Sequence, residues 1–368
     1  MVVDAKDTSD AWCVSGLTSL SDYVGVGASG VINIVDRATS ASISAADVTA
    51  GLTGTADELR FEAGSLRVTA TNDGLQVAAA IAGAIIQGKK EPEAPASTDT
   101  NDDDMIVPSW MFSEEETNSV NSTNQDVEDD QGNKDKKTGW AVSGAATLNL
   151  TETTTTAGIA SNAQFDVAGP LNILADNATT SITVAGAVSA STDKQQNTNA
   201  IAASLALTTD DRQTRALILG ARIDDATIVG VEAKDRSTTV GVAVGGAGAA
   251  KGSITIAGSV AINTMSGSTQ TDIDDAEITA DTITLNANDN STNVGVAGAV
   301  SINMTKNEGA GVGLGVSVNT FSRGTGISVT NGSDLTATGL TLLSTSNVGL
   351  YGFGIAGGAG KTGFGGAV

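Results

Sequence analysis

Apolar and small or polar residues alternate with a period of two over most of this chain. In "ITIAGSVAIN", residues 254–263, the large apolar side chains share one parity and the small or polar side chains share the other. The large set is Ile254, Ile256, Val260 and Ile262, and the small set is Thr255, Ala257, Ser259, Ala261 and Asn263. Period two is typical of a β-strand with one buried face. The pattern predicts strands whose β-branched residues fill the interior.

The alternating segments recur as diverged copies of one unit. The copies read "GAATLNL" at 144–150, "AASLALT" at 202–208, "AGSVAIN" at 257–263 and "LGVSVNT" at 314–320, with "ASGVINI" at 28–34 as an earlier copy. Aligning Asn149, Thr208, Asn263 and Asn319 gives steps of 59, 55 and 56 residues (208−149, 263−208 and 319−263). A second element of the unit begins at Leu66, Leu171, Val229, Ile283 and Leu340. A period of this size indicates a solenoid, a propeller or an array.

The units contain strands without helical segments between them, and they lack an aromatic signature typical of propeller blades. We therefore expect an all-β fold, a right-handed parallel β-helix of diverged repeats of 55–59 residues. If one coil takes roughly 19 residues, each unit makes about three coils. The alternative is an antiparallel β-sandwich or barrel, which is disfavoured because hairpin turn signals are sparse.

One acidic segment interrupts the repeats and divides the chain into three parts. Residues 1–88 and 139–368 are predicted to be solenoid, and residues 89–138 a disordered acidic loop or insertion, since the segment has three of the four prolines and two acidic runs. Within it, "MIVPSWMF" is unusually apolar. Its larger side chains are candidate partner-binding residues: Met105, Ile106, Trp110 and Phe112.

Composition excludes several classes of function. The chain has 368 residues, a net charge of −23, no histidine and one cysteine, Cys13. Nucleic acid is not an expected partner, because phosphate binding needs clustered Lys and Arg. Intrachain disulfides and histidine-based catalytic triads are absent, and we expect no enzyme activity and no cofactor. No run of about 18 apolar residues predicts a membrane-spanning helix.

Two glycine motifs resemble nucleotide-binding loops. Gly25, Gly27 and Gly30 have the G-x-G-x-x-G spacing, and "IAGGAGKTG" at 355–363 approaches a phosphate-binding loop. Each motif requires a helix directly after the glycines. The first is followed by the β-branched run "VINIVDR", and no helix-forming run follows the second. We interpret the first set as the small face of a repeated strand.

Residues 242–304, "VAVGGAGAAKGSITIAGSVAINTMSGSTQTDIDDAEITADTITLNANDNSTNVGVAGAVSINM", resemble the repeats of the leukotoxin-type, filamentous-haemagglutinin-like adhesins of Gram-negative bacteria. The resemblance covers about residues 140–365 and, more weakly, 20–88. It implies a long exported β-solenoid at the cell surface, secreted through an outer-membrane partner and contacting a host-cell or bacterial receptor or glycan. Under this resemblance, we expect the chain to be an internal fragment of such a fibre.

The sequence suggests several other sites and functions. Five aspartates in the acidic turns are candidate calcium ligands, with a solvated acidic turn as the alternative: Asp224, Asp225, Asp272, Asp274 and Asp275. The threonine run 151–158 suggests either an ice-binding ladder or simple strand propensity. A carbohydrate-active β-helix, such as a lyase or a tailspike-like hydrolase, and a polysaccharide-binding solenoid are further alternatives to an adhesin or structural fibre.

Overall fold

The computed structural model describes residues 1–44, 60–87, 138–160, 162, 164–194, 196–305 and 309–368, which form strands and turns without helix. The strands build three sheets, called I, II and III in the order in which the chain visits them. Sheet I contains β1 (Val2–Asp7), β4 (Arg60–Ala63), β5 (Leu66–Asn72), β8 (Gln164–Val167), β9 (Pro170–Asn177), β12 (Arg222–Asp235), β15 (Glu277–Asp289) and β18 (Asp334–Ser346). Sheet II contains β2 (Ala11–Ser21), β6 (Leu75–Ile86), β10 (Thr180–Ser191), β13 (Thr238–Ala249), β16 (Thr292–Asn303) and β19 (Gly349–Ala359). Sheet III contains β3 (Val24–Ser44), β7 (Gly139–Ala160), β11 (Thr198–Leu219), β14 (Ile254–Asp274), β17 (Ala310–Thr330) and β20 (Thr362–Ala367).

The chain passes through sheets I, II and III in turn and then returns to sheet I one strand further along, which makes six coils. All strand pairs of the described residues are parallel. The arrangement is consistent with a right-handed parallel β-helix, and the predicted fold class is confirmed. The antiparallel sandwich or barrel is wrong, because the connections carry the chain around the coil instead of reversing it within one sheet.

The strand register confirms the repeat alignment read from the sequence. Thr208 pairs with Asn149 on one side and with Asn263 on the other, and Asn263 pairs with Asn319. The second element is aligned in the same way in sheet I, where Leu171 pairs with Leu66 and Val229 pairs with both Leu171 and Ile283. The sequence unit is therefore the structural unit of stacking.

The predicted number of coils per unit is wrong. Neighbouring strands of a sheet are one whole repeat apart, so each unit makes one coil and not three. The reason is strand length: β14 has 21 residues, β15 has 13 and β16 has 12. Three such strands with short turns use the whole repeat in a single wide coil.

Between sheet I and the second half of sheet III lies a core of large apolar side chains, which we call the aliphatic core. It includes Leu171, Ile173, Val229 and Ile273, all at most 1% exposed. Their neighbours along the strands, such as Asn172 and Asp272, point outward. In this half of the coil the alternate positions that carry large apolar residues are buried, as the sequence pattern predicts.

Between sheet II and the first half of sheet III lies a second interior, which we call the alanine slab. Here the predicted orientation is wrong: Ala257 and Ala261 are 0% exposed, whereas Ile256 is 36% exposed. The two sheets lie too close for larger side chains. A Cβ atom placed on Gly245 of sheet II would be 2.5 Å from the carbonyl oxygen of Gly258 in sheet III. Small residues therefore face inward over most of the slab, and most of the large apolar residues face solvent.

Candidate functional site

The outer surface of sheet II is a continuous apolar face, which we call the valine face. It consists of the side chains of β2, β6, β10, β13, β16 and β19 that point away from the alanine slab. Among its exposed members are Ile81, Val188, Val244, Val300, Ile302 and Phe353. The largest apolar patch of a typical soluble monomer measures about 300–600 Å². Six strands spaced about 4.8 Å apart and about 40 Å long give this face roughly 1,100 Å².

The valine face carries no charge. The six strands of sheet II, each of 11 or 12 residues, contain no Asp, Glu, Lys or Arg. In the whole chain 17% of residues are charged and the net charge is −23. An apolar surface that excludes charge in so acidic a chain is typical of an interaction surface.

A buried polar column separates the alanine slab from the aliphatic core. Arg212 of β11 lies fully buried against Asp210 two residues earlier, donating to it from Nε at 2.6 Å and from Nη2, and donating from Nη1 to the Thr179 carbonyl oxygen at 3.0 Å. Thr239 Oγ1 donates to the same carboxylate at 2.6 Å. A buried charge of this kind is tolerated because its own coil and the next one supply a carboxylate and further hydrogen-bonding groups.

Two coils further along the column, one arginine joins two aspartates. Arg323 of β17 donates from Nη2 to Asp235 Oδ2 at 2.7 Å and from Nε to Asp289 Oδ2 at 2.8 Å. Gly267, with φ of 120°, occupies the intervening position of the same sheet column, where a side chain would collide with the Arg212 backbone. The arginine therefore ties two successive coils together through side chains as well as through the strand ladder.

The charges of this column fix the ionisation of Asp235 and Arg323. Burial by itself would raise the pKa of Asp235, but the guanidinium groups of Arg323 and Arg212 and a hydrogen bond from Ser237 outweigh it and hold the pKa below the ordinary value. Burial would lower the pKa of Arg323, but Asp235 and Asp289 raise it. Both charged forms are thus retained inside the solenoid, and the column acts as a structural clamp.

The predicted calcium ligands lie at the corner between sheets III and I, and the side chains of Asp224, Asp272 and Asp274 are engaged by neighbours. Asp224 accepts from Gln164 Nε2 at 2.6 Å and from Arg222 Nε at 3.0 Å. Asp272 is paired with Arg215, and Asp274 accepts from Thr330 Oγ1 at 2.8 Å. Within the described ranges, no group of three or more acidic or cysteine side chains is arranged to hold a metal ion. Calcium binding by these residues stays a prediction.

The two acidic pairs of this corner do not occupy equivalent positions, although their sequences look alike. Leu219 pairs with Asp274 before the corner, and Ile223 pairs with Ile278 after it. Asp224 and Asp225 therefore come after the corner, at an irregularity of β12, whereas Asp274 and Asp275 come before it. Asp225 and Asp275 both adopt positive φ, of 60° and 49°. The two pairs therefore do not stack on each other in successive coils, because they lie on opposite sides of the turn.

A shallow polar groove crosses the outer face of sheet I. Its polar lining includes Arg67, Asn172, Glu232 and Asn286, and Asn286 Nδ2 donates to Glu232 Oε1 at 3.2 Å. Glycoside hydrolysis in most families needs two carboxyl groups about 5–9.5 Å apart. Glu232 is the one carboxylate that lines this groove in the described part of the chain. The groove thus offers hydrogen-bonding groups without the pair required for that mechanism.

The other sequence-predicted sites fall in two groups. The candidate partner-binding residues Met105, Ile106, Trp110 and Phe112 lie outside the described residues. The threonine run is described, and its side chains alternate: Thr151, Thr153 and Thr155 are buried in the interior. These threonine side chains cannot contact ice, so the run does not form a flat exposed ladder of hydroxyl groups.

Sequence reasoning missed both the valine face and the buried polar column. The first had a signal, since all strands of one element of the repeat lack charge. The second had a weaker signal, since Arg37, Arg212 and Arg323 occupy one column of the repeat alignment. From the sequence alone, an arginine in a strand is expected to be exposed to solvent. Its burial depends on which strands pack against it, and these are visible only in the fold.

Comparisons with known proteins add no relative: no family model, no curated protein and no solved structure matches this chain. In the described residues, no helix is long and apolar enough to cross a membrane.

Proposed function

We propose that this chain is a solenoid segment of an exported surface fibre that supports attachment to cells, without enzyme activity of its own. The observation that carries the proposal is the uninterrupted register of the sheet III strands through all six coils, which stack the same unit at every step. Such stacking makes a rod whose length is set by the number of units. The sequence resemblance to surface adhesins supports the same function.

The interior of the coils supports a mechanical role. Asn33 Nδ2 donates to Asn149 Oδ1 at 3.0 Å, and Asn263 Nδ2 donates to Asn319 Oδ1 at 3.0 Å, so side chains join neighbouring coils in addition to the backbone ladder. Stacked amide ladders of this kind stabilise parallel, in-register sheets. A wide coil with such links resists bending, which suits a stalk that holds an adhesive element away from a cell.

The location is tested by labelling intact source cells with an antibody raised against the chain. Surface labelling without permeabilisation is the expected result. Labelling that requires permeabilisation would contradict export and, with it, the proposed function. Release of reducing sugar from polysaccharides by the purified chain would contradict the absence of enzyme activity.

The adhesive element is tested by binding the purified chain to cells and to a glycan array. A variant lacking residues 91–137 tests the acidic segment, and a matched variant retains the segment but replaces Met105, Ile106, Trp110 and Phe112 with serine. Loss of binding in both variants assigns contact to the apolar motif, and loss in the deletion alone assigns it to the remainder of the segment. If the intact chain does not bind while circular dichroism shows β structure, the chain is a stalk without an adhesive element.

A further inference from the structure

Two neighbouring rows of the valine face alternate between large side chains and glycine from one coil to the next. The strand register aligns them. From β6 to β19 the first row reads Ile81, Gly186, Val244, Gly298 and Ile355, and the second row reads Gly83, Val188, Gly246, Val300 and Gly357. The two rows are in opposite phase, so each strand carries one large side chain and one glycine. The face is a checkerboard of knobs and holes.

Packing within the chain does not require most of these glycines. A Cβ atom at Gly298 or Gly357 would have no other atom within 4 Å, and one at Gly246 would lie 3.8 Å from the nearest atom of Val188, an ordinary contact. Gly83 is tighter, at 3.1 Å from Thr18. Glycine weakens a strand and contributes no side chain to pack. Holes that the chain itself does not need indicate a shape that fits something outside it.

The checkerboard is complementary to itself under a two-fold rotation. An axis parallel to the solenoid axis and midway between the two rows exchanges the rows within every coil. It places Val188 against the Gly186 position of a second copy and Val300 against the Gly298 position. The same rotation matches a knob to a hole in β6, β13 and β19. Self-complementarity of this kind is what an isologous contact between two identical chains requires.

Area and charge favour the same occupant. A standard stable interface buries about 800 Å² on each partner. In β6 to β19 the axis lies between the fourth and fifth of the six outward positions of each strand. Four of the six positions therefore overlap, which is about two thirds of the face or roughly 750 Å². No charged group of sheet II has to be desolvated when two such faces meet, although each chain has a net charge of −23. Two sheets can therefore pack face to face at about 10 Å, as in a β-sandwich.

We propose that two copies of this chain associate side by side through their valine faces, with parallel solenoid axes and the large side chains of each copy seated over the glycines of the other. The pairing is independent of the proposed attachment function, since it needs no receptor. Coils of both copies lie at equal heights, so the contact extends with every added repeat.

The test is sedimentation velocity of the whole chain over a range of concentrations. The wild type is expected to form a dimer. Gly298→Val fills a hole on each copy, and overpacking at two symmetric positions is expected to raise the dissociation constant by about tenfold or more. Val300→Gly removes the matching knobs and is expected to weaken pairing as well. The double variant G298V/V300G exchanges knob and hole within one coil and is expected to restore pairing to within about threefold of wild type.

The matched control is Gly324→Val on the outer face of β17, which also has open space around its Cβ position. It should leave the dissociation constant unchanged. Circular dichroism and denaturant unfolding check that each variant folds. Because Gly298→Val adds apolar surface, generic hydrophobic association would become stronger, so a lower dissociation constant overturns the proposal.

Three other outcomes also overturn it. The first is a wild type that remains monomeric at a concentration of about 100 µM, where even a weak specific contact is populated. The second is a double variant no better than the single variants. The third is binding of the monomer to vesicles of phosphatidylcholine and phosphatidylglycerol that Val188→Glu abolishes, in the absence of self-association, since the occupant of the face is then lipid.

Discussion

The first half of a sheet III strand buries small side chains and the second half buries large apolar ones. The buried residues are nevertheless the same alternate positions along the whole strand. In β14 the inward residues begin with Thr255 and Ala257 and end with Ile273, and the outward residues begin with Ile254 and Ile256 and end with Asp274. The first half faces sheet II across the alanine slab, and the second half faces sheet I across the aliphatic core. The distance to the opposite sheet, and not the hydrophobicity of the side chain, decides which size of residue is buried.

The polar column marks the boundary between the two regions. Toward sheet II the interior is thin and filled mainly by small side chains, and toward sheet I it is wide enough to be filled by Leu, Ile and Val. At the junction the space is intermediate, and it is filled by extended polar side chains such as Arg212 and Arg323. The comparison therefore predicts different responses to substitution in the column, the aliphatic core and the slab.

The largest effect is expected at the boundary. Asp235→Ala removes one partner of Arg323 and leaves that guanidinium buried with the Asp289 carboxylate and the Thr269 hydroxyl. Breaking a buried ion pair from one side typically costs about 3–5 kcal/mol. The free energy of unfolding, measured with guanidinium chloride, should fall by that amount.

The pH dependence of stability provides the control for this variant. The folded pKa of Asp235 is lowered, so its stabilising contribution is present above its unfolded pKa of about 4 and is lost as the pH falls through the folded value. The wild type should therefore lose stability below about pH 4, and Asp235→Ala should lose less over the same range. Equal acid slopes in the two proteins would show that folding does not lower the pKa of this carboxyl.

The second-largest loss in the free energy of unfolding is expected for a large apolar side chain in the aliphatic core, compared with one on the alanine slab. Ile173→Ala in the aliphatic core leaves a cavity and should cost about 2–5 kcal/mol. Leu205→Ala on the outer face of the slab, where the side chain is 41% exposed, should cost within about 0.5 kcal/mol. Denaturant unfolding of both variants checks the pair. A comparable loss in Leu205→Ala would mean that the slab buries its large side chains after all.

The smallest changes in stability are expected for alanine substitutions of two adjacent glycines of β13. Gly245→Ala directs a methyl group into the slab, 2.5 Å from the Gly258 carbonyl oxygen, and should cost about 1–3 kcal/mol as the sheets move apart. Gly246→Ala directs the same group to solvent and should stabilise the monomer by about 0.4–1 kcal/mol, because it restricts the unfolded chain. Thermal unfolding at low protein concentration separates the two. Similar changes in both variants would contradict the thin slab.

Much of the fold was predictable from particular residues. The repeat alignment of Asn149, Thr208, Asn263 and Asn319 matches the strand register, because in-register parallel stacking places equivalent residues side by side. The orientation of Leu171 and Ile173 was also predictable from alternation. The orientation of Ile254 and Ile256 was not, because a period of two identifies two faces without saying which of them is buried.

The candidate surface could be predicted only in part. The absence of charge in the sheet II strands is visible in the sequence, but its meaning depends on those side chains pointing outward. The acidic pairs at Asp224 and Asp274 look equivalent in sequence, and the turn that separates them is visible only in the register.

The sequence by itself determined the repeat, its period, the strand character and the alignment of equivalent residues, because these depend on local alternation and on self-similarity along the chain. The tertiary structure decided that one unit closes one coil, that sheet II presents its branched side chains to solvent, and that arginines lie inside. The physical reason is the spacing between sheets. Which face of a strand is buried, and how large its residues are, depends on how closely a strand from a distant part of the chain approaches it.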